Sequence, residues 1–170
     1  MKKTISLLLV LCMFFMIGTP AFAADGSTEE ISPQTDGYTY WQVDSKNRVA
    51  TVYDDYKMGP ILNGNSVGGY VEKSITDSVS NRISGSYTSK SAIEAAMGIE
   101  IEVSFSVTST GGANVPVGKN VRLDYRPYYS RYKIVQNEYI RIDGRTTKTG
   151  ATKTCYVDVF EDFNFNPVVL

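Results

Sequence analysis

Between Ile93 and Val107 every second residue is apolar: Ile93, Ala95, Met97, Ile99, Ile101, Val103, Phe105 and Val107, with Glu94, Ala96, Gly98, Glu100, Glu102, Ser104 and Ser106 between them. A period of two places one set on each face of a β-strand. Fifteen residues at about 3.3 Å each would extend roughly 50 Å, against five or six residues in an ordinary strand. A chain carrying such a strand needs a long sheet to receive it. The pattern has a second solution. Ser91-Ala92-Ile93-Glu94 fits a capping box and Ala-Ile-Glu-Ala-Ala-Met favours helix, which predicts a short helix over about 91–97 and a strand from 99.

Upstream, Val67, Val71, Ile75, Val79, Ile83 and Tyr87 recur every four residues. The residues between them are mostly Ser, Thr, Asn, Asp and Gly, which are poor in helix interiors because their side chains compete for backbone hydrogen bonds or cost entropy. Val71–Tyr87 therefore reads as a Ser/Thr-rich strand. Joined through Thr88-Ser89-Lys90 to the alternating stretch, it predicts a long amphipathic hairpin at about 71–109. Further strands are expected at Tyr38–Val43, Arg48–Tyr53, Asn120–Tyr125, Tyr132–Val135, Tyr139–Ile142 and Thr152–Phe160, where β-branched and aromatic residues lie between turn formers. Pro127 should end the ladder after Tyr125, since proline has no N–H to donate. The expected fold is mainly β, an elongated antiparallel sheet or sandwich.

The first residues have another purpose. Lys2-Lys3, the apolar run from Ile5 to Ile17 and the Ala21-Phe22-Ala23 site are the three parts of a cleaved secretory signal, with the cut expected after Ala23. The run is shorter than the roughly 20 residues of a membrane-spanning helix. Asp25–Asp36 (DGSTEEISPQTD) contains one Ile and no aromatic residue, too little apolar surface to offset its ordering entropy, and is expected to be a disordered leader over 24–36. Residues 37–170 are then a single β-rich domain. Removing the signal takes Lys2 and Lys3 from 17 basic residues, leaving 15 against 18 acidic ones, and takes Cys12, so Cys155 has no internal disulfide partner. Cys155 alternates with Val157 and Val159 and reads as a buried strand thiol.

Composition removes several functions. With no histidine and two cysteines, the usual catalytic triads, histidine bases and zinc sites are out of reach. An acidic secreted chain argues against nucleic acid as a partner.

SFSVTST (104–110), VPVGK (115–119), and then an alternating strand running into a Tyr-rich segment give a stretch of about 67–142 that resembles the β-pore-forming region of aerolysin-like proteins, in particular the epsilon-toxin type. The resemblance implies long antiparallel strands, a Ser/Thr-rich insertion hairpin that joins a transmembrane barrel on oligomerisation, no catalytic site and no cofactor. Its membrane-hairpin candidates here are Ile99, Ile101, Val103, Phe105 and Val107, with Glu100 and Glu102 on the polar face. The partners implied are a membrane or cell-envelope component and further copies of the chain. Against a lipid-facing role for 71–79, Lys73 and Asp77 share the face of Val71, Ile75 and Val79, and a lysine near the bilayer midplane costs roughly 2–4 kcal/mol.

A rival site follows from chemistry alone. Tyr125, Arg126, Tyr128, Tyr129, Arg131 and Tyr132, with Lys133, concentrate aromatic faces and cations in nine residues, which suits a glycan, wall polymer or headgroup if the cluster is exposed. The chain would then be a soluble extracellular or cell-envelope binding module. The competing account is an amphipathic strand with its tyrosine bodies packed on the sheet. Two weaker sets remain. Glu100 and Glu102 on one strand face would stand about 7 Å apart, within the range of paired glycosidase carboxylates, although such pairs normally face each other across a cleft. Asp158, Glu161, Asp162, Asn164 and Asn166 offer oxygen ligands without the spacing of a calcium loop. No metal, cofactor or enzymatic activity is expected.

Overall fold

A computed structural model describes residues 37–64 and 66–170. The expected signal at 1–23 and leader at 24–36 lie outside the described residues. The protein is mainly β, with antiparallel pairing throughout and one short helix. In chain order the elements are β1 (Tyr38–Tyr53), β2 (Ile61–Asn63), β3 (Gly69–Ser80), β4 (Arg82–Gly85), α1 (Lys90–Met97), β5 (Ser104–Val115), β6 (Asn120–Ile142) and β7 (Arg145–Val169).

A five-stranded sheet runs β1-β6-β7-β4, with β2 pairing β6 beyond the end of β1. β3 and β5 form a separate two-stranded ribbon. Its register pairs Ser80 with Ser104 at one end and Gly69 with Val115 at the other.

Several expected strands merge. Tyr38–Val43 and Arg48–Tyr53 are one strand whose register shifts at Asp44 and Val49, bulges that let a long edge strand follow the twist of β6. Three expected strands become the 23 residues of β6, which continues through Pro127. Pro127 is tolerated because its carbonyl accepts from Asp54 N (3.1 Å), so the missing N–H faces the point where β1 has ended, while β7 pairs it from the other side.

The alternating stretch is not one strand. Residues 90–97 are helical, with Ser89 rather than Ser91 as N-cap, its hydroxyl accepting from Ala92 N at 3.2 Å, and Gly98 closing the helix in the left-handed conformation (φ 71°). The helix turns Ile93 and Met97, one turn apart, toward the large sheet and leaves Ala95 exposed, the result of a 3.6-residue period. Residues 98–103 are irregular and β5 begins only at Ser104. Val71–Tyr87 is also divided: β3 belongs to the ribbon, and the chain crosses at Asn81 into the large sheet as β4. The ribbon is therefore closed by 23 intervening residues and not by a tight turn at 88–90.

β6 presents two faces. Val121 and Leu123 pack with Leu62, Ala113 and Val115 beneath the ribbon. Ile134, of opposite parity, packs with Ile93, Ile101, Cys155 and Val157 beneath α1. Cys155 is the expected buried strand thiol, and burial pushes its pKa up. The two cores lie on opposite faces of one sheet and toward different ends of β6.

Candidate functional site

The β3–β5 ribbon has chemically distinct faces. On its outer face, in cross-strand register, stand Ser74 and Thr110, Thr76 and Thr108, Ser78 and Ser106, and Ser80 and Ser104. The hydroxyls of Ser74 and Thr110 are 2.8 Å apart and those of Thr76 and Thr108 are 2.7 Å apart, so the exposed face is a hydroxyl ladder. The inner face carries Val71, Ile75 and Val79 from β3 and Phe105, Val107, Ala113 and Val115 from β5. Ile75, Val79, Ala113 and Val115 are buried against the large sheet.

Three devices seat this ribbon. Phe105 meets Phe160 edge-on at 6.0 Å, and Phe160 continues to Tyr129 and Phe163, and Phe163 to Tyr125, in a row of tilted and edge-on rings. Gly111 lets the backbone close on Phe165: a Cβ there would stand 2.6 Å from the ring. The third device is charged. Asp77, among the inner-face apolar residues, is ion-paired with Lys57 and accepts from the Tyr125 hydroxyl at 3.2 Å. Burial pushes the Asp77 carboxyl up, but the bond from Lys57, the Ser78 N–H, the Lys57 charge and the Tyr125 hydroxyl outweigh it and hold the group below its ordinary value. The charge that interrupts the apolar stripe is therefore a docking contact. Lys73 stays exposed opposite Gly111.

Asn81 fixes the base of the ribbon. Its amide donates to Glu100 O (2.8 Å), its side-chain oxygen accepts from Phe160 N (2.9 Å), and its carbonyl accepts from Glu102 N (2.8 Å). The Phe160 N–H is available because β4 begins at Arg82, opposite Asp158, and leaves that edge of β7 unpaired at Phe160. Nothing local in the sequence distinguishes Asn81 from other polar strand residues.

The hairpin candidates are separated by this arrangement. Phe105 and Val107 lie on the ribbon's inner face, and Val103 is exposed just before β5. Ile99, Ile101, Glu100 and Glu102 are not strand residues. Ile101 is fully buried and Ile99 packs beside it, both fastening α1 to the large sheet. Glu100 offers its backbone carbonyl to Asn81, and Glu102 takes a left-handed conformation (φ 61°) with its carboxylate 3.2 Å from Lys90 Nζ. They do not form a carboxylate pair on one strand face.

The aromatic and cationic segment is divided as well. β6 is regular there, so Tyr125, Tyr129 and Arg131 point to the ribbon side and Arg126, Tyr128 and Tyr132 to the other. Tyr129 is buried, its hydroxyl donating to Asp54 at 3.3 Å and its ring covered by the Arg82 guanidinium at 3.9 Å; burial is the main cause of its raised pKa. Arg131 is bidentate to Asp158 (2.7 and 2.8 Å), a carboxylate that also faces Arg82. Tyr132 packs on the α1 core. What remains at the surface is Arg126, stacked between Tyr53 (4.2 Å) and Tyr56 (4.4 Å), with Tyr128 beside Tyr53. Asn164 accepts from both Tyr56 (2.9 Å) and Arg126 (3.3 Å). Tyr53 and Tyr56 are the members of this cluster that the sequence segment did not contain.

Among the described residues no group of three His, Cys, Asp or Glu is arranged to hold a metal, and no helix is long and apolar enough to cross a membrane. An open concavity of about 500 Å³ at the β6–β7 turn, lined by Ile140, Ile142, Asp143, Arg145 and Thr147, shares no residue with either predicted site.

No protein-family model matches the sequence, and no curated protein matches it. Among solved structures, a candidate pore-forming toxin from Bacteroides vulgatus is 12% identical with a TM-score of 0.39, over 77% of this chain and 55% of that one. The chain thus spans about half the length of that protein. The parasporin-2 toxin of Bacillus thuringiensis, which recognizes cancer cells, is 15% identical with a TM-score of 0.25, over 79% of this chain and 75% of that one. The candidate site of this chain is the ribbon, with its hydroxyl outer face and docked, largely apolar inner face.

Proposed function

We propose that the protein is a secreted, non-enzymatic, membrane-acting β protein whose β3–β5 ribbon leaves the large sheet and joins the ribbons of other copies in a transmembrane barrel. One observation carries the reading: the two faces of the ribbon. A barrel strand alternates lipid-facing apolar with lumen-facing polar residues and needs about 9–11 tilted residues to cross. β3 and β5 have 12 residues each, in continuous register, with hydroxyls on one face and Val71, Ile75, Val79, Phe105 and Val107 on the other, where Lys73, Asp77 and Ser109 interrupt the stripe and must meet the interface or a partner in a barrel. Each strand pairs only with the other, so among the described residues both ribbon edges are open to further strands. Secretion is supported by the signal-like pattern at 1–23.

The test contrasts the two faces. Ser109→Lys places a cation opposite Ile75 in the middle of the inner face, with no carboxylate across the ribbon, and on the lipid side of a barrel it costs roughly 2–4 kcal/mol near the midplane. Thr108→Lys adds the same charge to the lumen side. Dye release from liposomes should be lost in the first variant and kept in the second, with detergent-resistant oligomers following the same split. Equal release from both, or none from the wild type on any lipid composition, overturns the reading. In the second case the cluster of exposed Tyr53 and Tyr56 with half-buried Arg126 and Tyr128 favours the envelope-binding alternative.

A further inference from the structure

The end of the sheets where β6 begins is apolar at its loop tips. Three segments meet there: the loop leading into β3, the turn between β5 and β6, and the last residues of β7. Lys119 N donates to Pro116 O (3.1 Å) to close the turn, Leu170 N donates to Asn120 O (2.9 Å), and a Cβ on Gly68 would stand 3.2 Å from the Val117 side chain. The exposed apolar side chains at this pole are Ile61, Val67, Val117, Val169 and Leu170, with Tyr70 at its border; Val67 is 80% and Val117 62% exposed. None of the 18 acidic residues falls within 61–71, 114–123 or 163–170. The cations there are Arg122, paired with Asp124, and Lys119, which no carboxylate pairs with among the described residues.

The chemistry selects a class of partner. A specific protein interface buries about 1,200–2,000 Å² of complementary surface, which separate loop tips do not offer. A bilayer interface needs no shape match: apolar side chains enter the acyl boundary one by one, tyrosine rings suit the headgroup level, and a lysine pairs with phosphate. The absence of aspartate and glutamate side chains from these segments lowers the repulsion that a generally acidic chain would otherwise meet.

We infer that this pole is the lipid-docking surface of the protein, with the tips at Val67 and Val117 entering the interface and Lys119 meeting headgroup phosphate. The inference rests on the membrane-acting reading above but concerns attachment rather than crossing.

The experiment is co-sedimentation of the full secreted chain with phosphatidylcholine vesicles containing a minor fraction of phosphatidylglycerol, with dye release followed in the same samples. Val117→Asp should reduce the bound fraction about tenfold, since an aspartate is disfavoured in the apolar boundary. Its thermal melt should match the wild type because the side chain is exposed. Val49→Asp, at a half-exposed bulge of β1, should bind as the wild type does. Wild-type binding by Val117→Asp, an equal loss in Val49→Asp, or no vesicle binding by the wild type overturns the inference. A lipid-free oligomer abolished by Val117→Asp also overturns it, assigning the pole to a second copy. Wild-type binding without dye release defeats the barrel reading alone and leaves the docking surface standing.

Discussion

Asp77 reaches from the inner face of the ribbon to Lys57, which lies in the segment between β1 and β2, so a single ion pair ties the ribbon to a part of the chain that runs along β6. Lys57 in turn has its pKa raised, first by this hydrogen bond and against the effect of burial. The pair sits between Ile75 and Val79, at one of the two charged positions of the β3 inner face, the other being the exposed Lys73.

Acid should therefore loosen the ribbon. The Asp77 carboxyl has a depressed folded pKa, so its stabilisation is present above the unfolded value of about 3.9 and is lost as pH falls through the lower folded value. Lys57 is half exposed, which limits the pair to about 0–1 kcal/mol. Between pH 6 and pH 3 the thermal midpoint of the wild type should fall by a few degrees more than that of Asp77→Asn, followed by circular dichroism. Hydrogen exchange should place the difference in β3 and β5.

Removing the side chain of Asn81 should cost more. Asn81→Ala leaves the Phe160 N–H and the Glu100 carbonyl without their partners at a buried site, a loss of about 1–3 kcal/mol in urea unfolding. Exchange of the Phe160 amide should accelerate relative to neighbouring amides of β7. An unchanged rate there would show that the clasp does not hold the ribbon base.

Ile101 and Val103 are two residues apart in the alternating stretch but occupy different environments. Ile101→Ala empties a fully buried position beneath α1 and should destabilise by about 2–5 kcal/mol. Val103→Ala, at an exposed position, should stay within about 0.5 kcal/mol. Comparable losses in chemical denaturation would place both residues in one packed strand.

Much of the molecule was legible in its residues. Val, Ile, Tyr, Ser and Thr between turn formers indicated a β protein, and the alternation of Ser74, Thr76 and Ser78 against Ile75, Asp77 and Val79 assigned the two ribbon faces before any partner was known. The partner strand was legible only in part: SFSVTST has no competing period and reads as strand, whereas the glycine-rich stretch 111–118 reads as turn and yet continues β5 as far as Val115, because its backbone pairs with Gly69–Lys73. Residues 93–97 were different. Ile93 and Met97 are spaced for both a strand face and a helix face, so local pattern left two solutions, and the cap at Ser89, the left-handed Gly98 and the apolar surface of Ile134, Cys155 and Val157 selected the helix.

The tyrosine segment shows the other limit. Nearness in sequence suggested one surface, yet a strand sends neighbours to opposite faces, and the ribbon and α1 then covered parts of each. Tyr129 became core and Arg131 an ion-pair partner, while Arg126 gained Tyr53 from the end of β1 and Tyr56 from the segment after it. By itself the sequence determined which residues share a face, because side-chain direction follows from backbone period. Only the tertiary structure decided what lies against each face, because that depends on contacts between segments far apart in the chain: it made Asp77 a docking contact of the ribbon and left Val117 in solvent.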